Sequence, residues 1–311
     1  MLFAAACTAP HAPVPLAAPL PIWHEGGRIA VVGDVQRTGS VEVWRESNDP
    51  ERLVVRDGIA AAAPDLLAFT GDLVFDGGSD DEWAKLDALL DPIRARGIPA
   101  ITAFGNHEYW RGRETAEANV FARFPIVAKR HWYTVAFGPL RLVVVDSNEK
   151  ELRTEWDAQR AWYESTLEAA DADASTRGVF VLMHHPPWTN STVTGDEPIV
   201  QKTFVPAFMR AKKTLAMLCG HVHSYERYVK DGKVFVVSGG GGGPRAALLA
   251  SDARRHPDDR FAGPALREFH FTLYTPTADG VDAEVRSVAK GGTSLHVMDR
   301  FTMPWPVTES R

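Results

Sequence analysis

Arg28-Ile29-Ala30-Val31-Val32-Gly33-Asp34-Val35-Gln36 is the stretch on which the fold turns. An apolar run breaks at a glycine and hands over at once to a carboxylate. The same pattern returns downstream. Leu66 to Thr70 leads to Gly71-Asp72, Ile98 to Phe104 to Gly105-Asn106-His107-Glu108, Val179 to Met183 to His184-His185, and Leu215 to Cys219 to Gly220-His221-Val222-His223. Short all-apolar runs read as strands buried on both faces. Strands that each deliver Asp, Asn or His at their ends describe one site at the edge of a sheet. Oxygen and nitrogen donors suit Mn²⁺, Fe or Zn²⁺ better than Ca²⁺, and the lack of thiolates argues against a structural zinc cage.

Helical patterns separate the runs. Residues 51–63 carry apolar Leu53, Val54 and Ile59 at helical spacing and stop at Pro64. A second helix is capped by Ser79, has Asp80, Asp81 and Glu82 in its first turn, buries Trp83, Leu86, Leu90 and Ile93, and ends at Gly97. This β-α-β-α-β order calls for right-handed crossovers, which collect the ligand-bearing strand ends on one edge. Further helices are expected over 113–124 and 154–171, and a hairpin over 131–146 that turns at Gly138-Pro139. Asp146, at the end of that hairpin, reads as a strand-end turn residue. A strand Lys233–Val237 runs into Gly239–Gly243, which serves either close backbone approach or a phosphate cradle. Residues 244–263 read as a mobile polar loop. The tail from Leu266 alternates like antiparallel strands completing a second sheet.

The 311 residues are 45% hydrophobic and 24% charged, as in an ordinary globular protein, and a net charge of −6 leaves no nucleic-acid footprint. No stretch is apolar enough for a transmembrane span. Cys7 and Cys219 exclude a disulfide framework, and Cys219 reads as a small buried strand residue. Cys7 follows small residues and precedes a Pro/Ala-rich tether, so it is a candidate lipid-anchor position. The expectation is a flexible segment over 1–21, a single domain over 22–311, and a bacterial protein exported to the periplasm or as a lipoprotein, with the cytoplasm as the alternative. The oligomeric state is left open.

In the order GD, GD, GNHE, HH, GHVH the clusters resemble the calcineurin-like metallophosphoesterases, over about Arg28 to Ser238. Met183-His184-His185-Pro186-Pro187-Trp188 and Gly220-His221-Val222-His223-Ser224-Tyr225-Glu226-Arg227 are most similar to the purple acid phosphatase branch. Two positions depart. That branch has tyrosine where this chain has Phe75, and most others have histidine where it has Gln36. The resemblance implies a metallo-dependent phosphatase fold of class α/β, a four-layer α/β/β/α sandwich of two mixed β-sheets flanked by helices. It implies two divalent or trivalent transition-metal ions (Mn, Fe or Zn), with Asp34 and His223 on the first and Asn106, His184 and His221 on the second. Gln36 is either a weak neutral ligand of the first ion or a partner of its water. With Phe75 in place of tyrosine, no purple colour is expected.

Phosphate-ester cleavage needs a nucleophile, neutralisation of the phosphoryl oxygens and help for the leaving group. Asp72 is the natural bridging ligand, since one carboxylate can place an oxygen on each ion. A water shared by the ions supplies hydroxide. The implied reaction is hydrolysis of phosphomonoesters or phosphodiesters, with small-molecule phosphate esters as partners and Asp72 and His107 as catalytic residues. His107 points by resemblance at the leaving group. Glu108 is read as orienting a histidine, His185 as lying behind the ligands, and Arg37 and Arg111 as candidate phosphate contacts. His221 and His223 would share one face of a strand, two residues apart. Trp110, Trp188 and Tyr109 either stack on a substrate or pack under their own loops. Alternatives are a non-catalytic binding module of this fold and a nucleotide pyrophosphatase.

Overall fold

The ligand-bearing runs divide between two sheets. The computed structural model describes residues 11–16, 18–39, 42 and 44–306, so Cys7 lies outside the described residues. In chain order the strands are β1 (Ile29–Val32), β2 (Leu66–Phe69), β3 (Ala100–Thr102), β4 (Tyr133–Phe137), β5 (Leu140–Val144), β6 (Gly178–Leu182), β7 (Thr214–Cys219), β8 (Tyr225–Lys230), β9 (Lys233–Ser238), β10 (Phe269–Pro276), β11 (Gly280–Val288) and β12 (His296–Pro304). The first sheet has the order β12-β11-β10-β1-β2-β3 and the second β4-β5-β6-β7-β9-β8. Strands β1, β2 and β3 run parallel, as do β5, β6, β7 and β9. All their carboxyl ends therefore open toward one side.

Side-chain alternation sorts the layers. Leu142, Val144, Phe180, Leu182, Ala216 and Leu218 join the cluster between the sheets. Their neighbours Val143, Val181, Met217 and Cys219 join a second cluster with Trp156, Tyr163, Phe204 and Phe208. That second cluster packs the helices Trp156–Ala172, Pro198–Thr203 and Val205–Arg210 on the outer face of the second sheet. The helix Asp49–Ala62 covers the first sheet through Val55 and Ile59. Cys219 is a buried strand residue, as its apolar setting suggests.

Four elements depart from expectation. The tail strands extend the first sheet, where β10 pairs antiparallel with β1 and sets Ile29 opposite Tyr274. Alternation announces an antiparallel strand but does not say which edge it joins. The helix capped by Ser79 breaks at Leu90 and restarts as Asp91–Ala95, because Pro92 has no N–H to continue the ladder. Ser79 Oγ accepts the Glu82 N–H, as its cap role requires. Within the tether, Leu16 is buried and donates its N–H to Arg123 O at 2.7 Å. Residues 244–263 are tied down, with Arg255 donating to Thr189 O at 3.0 Å and Ser191 O at 2.7 Å. No helix among the described residues is long and apolar enough to cross a membrane.

Candidate metal centre

The chain turns sharply after each strand. Asp34, Asp72 and His221 sit at φ of 58°, 52° and 68°, a left-handed region that side chains hold only where the surroundings over-determine it. Here the surroundings are each other. The Asp34 carboxylate accepts the His221 N–H at 3.0 and 2.9 Å, joining the two sheets, and Asp72 Oδ1 accepts the His107 N–H at 3.0 Å. Gly105 makes the approach possible, since a Cβ there would lie 2.2 Å from Asp72 Oδ1. His221 and His223 thus occupy a bend before β8, not a strand. Their convergence comes from the Asp34 contact and the turn, so alternation along a strand is not its cause.

All the ligand candidates meet in one place. His184 Nε2 lies 3.3 Å from Asp72 Oδ2 and 3.0 Å from Asn106 Oδ1. His221 Nδ1 lies 3.0 Å from the same Asn106 oxygen and 3.1 Å from His184 Nε2. On the other side His223 Nε2 is 3.4 Å from Asp34 Oδ1, and Gln36 Nε2 is 3.4 Å from both Asp72 Oδ2 and His223 Nε2. Ligand atoms of Asp34, Asp72 and His223 fall within 4.8 Å of one another, and so do those of His184, His185 and His221. His185, placed behind the ligands by the sequence, belongs to this second group, with its Nδ1 2.8 Å from Ser147 Oγ.

Hydrogen bonds on the far sides of the rings set which nitrogen faces inward. His184 Nδ1 is 2.9 Å from Thr70 O, His223 Nδ1 is 2.8 Å from Pro244 O, and His107 Nδ1 is 2.6 Å from Phe75 O. A carbonyl only accepts, so each Nδ1 carries its proton and each neutral ring turns an Nε2 lone pair inward. The charges divide these rings: burial disfavours the charged form of His223, but its contact with Asp34 outweighs that and raises it. Burial and repulsion from His184 pull His221 down to about 3, and burial likewise pulls His185 well below the ordinary histidine range. Burial also disfavours the charged form of His184, but Asp72 outweighs it and lifts that ring to about 9. Asp72, pushed up by burial, is held far below the carboxylate range by His184, His107 and His221. Converging oxygens and lone pairs that cannot all be protonated fit a cation pair. Gln36 Oε1 is buried without a hydrogen-bond partner while Nε2 faces Asp72 and His223, so ligation through the oxygen requires the amide turned over.

Other expectations are corrected. Glu108 orients no histidine. Its carboxylate accepts the N–H groups of Asp72 (3.0 Å), Leu73 (2.7 Å) and Gly105 (2.7 Å), tying two ligand loops together. Arg37 is paired with Asp49 and Arg111 with Asp76, each at 2.8 Å, so neither stands free for phosphate. The N–H groups of Gly239, Gly241 and Gly243 go to Ser224 O, Gly33 O and Asp34 O at 3.1, 2.8 and 2.9 Å. The glycine run is therefore a close-packed floor to the site. Asp146 ends its strand in a turn, with Oδ1 accepting the Asn148 N–H at 2.9 Å, and its buried carboxylate also meets Tyr109 and His131. Tyr109 packs on Phe104 and Trp188 against Phe235, under their own loops. His131 drew no attention in the sequence, where it is a lone histidine outside every motif.

The family model described as calcineurin-like phosphoesterase matches residues 27–225, more than half of the chain. The chain belongs to this family. A probable cyclic nucleotide phosphodiesterase of Rhodococcus erythropolis is 30% identical over 189 residues, 54% of this chain and 55% of the relative. Another from Synechococcus is 25% identical over 178 residues, 56% of this chain and 64% of the relative. The match thus spans less than two thirds of either relative. Among solved structures, a purple acid phosphatase of yellow lupin (Lupinus luteus) superposes with a TM-score of 0.68 at 20% identity, covering 94% of this chain and 55% of that one. A dimetal phosphatase of Danio rerio gives 0.61 at 12% identity, covering 91% of this chain and 100% of its own. These likenesses show that the chain has the α/β sandwich of metallo-dependent phosphatases. Dinuclear metal dependence is a property of the family, and this member carries candidate ligands for it.

Proposed function

We propose that this phosphoesterase hydrolyses phosphate esters, with phosphodiesters the preferred class, using two transition-metal ions drawn from Mn, Fe and Zn. Asp34, Gln36 and His223 would hold one ion, Asn106, His184 and His221 the other, and Asp72 would serve both. When bound, such a pair neutralises phosphoryl oxygens and makes hydroxide available at neutral pH. The observation that carries the reading is the pinning of Nδ1 in His184 and His223, which turns their Nε2 atoms toward Asp72, Asn106 and Asp34.

His107 has a separate task. Its Nε2 lies 3.9 Å from Asp72 Oδ2, on the site but outside the ligand contacts. With Nδ1–H held by Phe75 O, a second proton on the ring sits at Nε2, facing the reacting group, and is available to the leaving oxygen. Diesters are favoured because the named relatives are probable cyclic nucleotide phosphodiesterases.

The test is hydrolysis of bis-p-nitrophenyl phosphate, 3′,5′-cyclic AMP and p-nitrophenyl phosphate by chelator-stripped protein reloaded with Mn²⁺, Zn²⁺ or Fe²⁺. Metal-restored turnover of diesters, with 3′,5′-cyclic AMP hydrolysis falling about 10²–10⁴-fold in His107→Ala and p-nitrophenyl release falling far less, supports the reading. Two ions bound per chain with no turnover of any of the three esters would sink it.

A further inference from the structure

His107 is held by more than its hydrogen bond. The Trp110 ring stacks on the imidazole, with centroids 4.1 Å apart and planes at 28°. Phe75 lies against the same imidazole at 5.3 Å and meets Trp110 edge-on at 5.0 Å and 76°. Gly39 makes room for this ring, because a Cβ there would come within 2.2 Å of Phe75 Cζ. Trp110 remains 41% exposed, so burial of its own surface does not explain its placement. Phe75 stands where the purple branch carries tyrosine, and here that ring packs on the histidine.

We propose that Phe75 and Trp110 form a positioning clamp that aims His107 Nε2 at the leaving oxygen. The inference rests on the phosphoesterase reading above and adds a separable claim. Proton delivery depends on the clamp, whereas metal binding does not. A histidine ring turns about two side-chain bonds, and one hydrogen bond at Nδ1 leaves a swing about that contact. Two aromatic faces remove the swing. In the step served, a water oxygen forms a new P–O bond and gives up a proton to solvent, while the P–O bond to the leaving group breaks with its electron pair on the leaving oxygen. That oxygen takes the Nε2 proton, and the ring recovers a proton from solvent.

Leaving groups separate this role from a structural one. p-Nitrophenolate departs without a proton, whereas an alkoxide does not. The experiment measures kcat and KM for methyl aryl and methyl alkyl phosphodiesters of graded leaving-group basicity in wild type, Trp110→Ala, Trp110→Phe, Phe75→Ala and His107→Ala. Metal content is read for each by elemental analysis. Trp110→Ala is expected to keep its metal and its p-nitrophenyl rate within about threefold, and to lose roughly 10–100-fold in kcat on alkyl esters, part of the 10²–10⁴ that general-acid catalysis supplies. Phe75→Ala should behave alike, and Trp110→Phe should recover most of the loss because it keeps a stacking face. Uniform loss across leaving groups, or none, in Trp110→Ala overturns the clamp if His107→Ala shows the steep dependence. If His107→Ala shows no such dependence, the acid role falls and the clamp with it.

Discussion

Lowering the pH should loosen the joint between the two sheets through one residue, His270. It sits on β10 in the first sheet with no exposed surface, and its Nε2 lies 3.0 Å from Ser238 Oγ at the end of β9 in the second. Nδ1 is 2.9 Å from Glu268 O, so it carries the proton and Nε2 accepts from the serine hydroxyl. Burial, helped by nearby Arg267 and opposed by the Glu268 carbonyl, lowers the ring to about 4 from its ordinary 6.5. Below pH 6.5 the unfolded chain takes up a proton that the folded chain refuses, so stability falls with falling pH and levels off below about 4. That shift is worth about 3 kcal/mol, at ~1.4 kcal/mol per pH unit. At roughly 2 °C per kcal/mol for a chain of this size, Tm should fall by about 6 °C from this group alone. The assay is thermal unfolding of chelator-stripped protein between pH 7.5 and 4, wild type against His270→Gln. The variant, with nothing to titrate, should lose less, and the difference between the two curves should slope only in that window. A flat difference would refute the claim that the inter-sheet histidine is held neutral.

Two other perturbations test separate parts of the structure. Gln36→His sets an imidazole beside Asp72 and His223, and should tighten retention of the first ion about tenfold, equivalent to about 1.4 kcal/mol, read as metal per chain after dialysis. Unchanged stoichiometry and affinity would remove Gln36 from the centre. Arg123 is 2% exposed, donates to both oxygens of Asp87 at 3.0 and 2.9 Å, and lies over Trp83. Arg123→Ala leaves the buried Asp87 with only His11, whose Nε2 is 2.9 Å from Oδ2, and should cost about 3 kcal/mol in urea unfolding, against less than ~1 kcal/mol if the pair were solvated.

Much of the site was legible because its parts are local. An apolar run that ends in Gly-Asp or Gly-Asn-His states both the strand and the donor it delivers. The Ser79 cap and the Gly138-Pro139 turn are equally short-range signals. The misreadings share one character. Glu108 reaches Asp72 and Leu73, more than thirty residues away. The carboxylates that occupy Arg37 and Arg111 lie twelve and thirty-five residues off. None of these partners is marked by spacing or residue type.

The sequence by itself determined the candidate donors, the strands that present them and the family to which the chain belongs. These depend on side-chain period and on residues adjacent in the chain. Only the tertiary structure decided that the donors come from two sheets, that the C-terminal strands join the first, and which nitrogen each histidine turns inward. It also brought His185 within reach of His184 and His221 and set Phe75 and Trp110 on His107. The physical reason is that a hydrogen bond or ring contact is chosen by proximity in space. A ligand's inner atom is fixed by the carbonyl behind it, and that carbonyl belongs to a strand or loop distant in the chain.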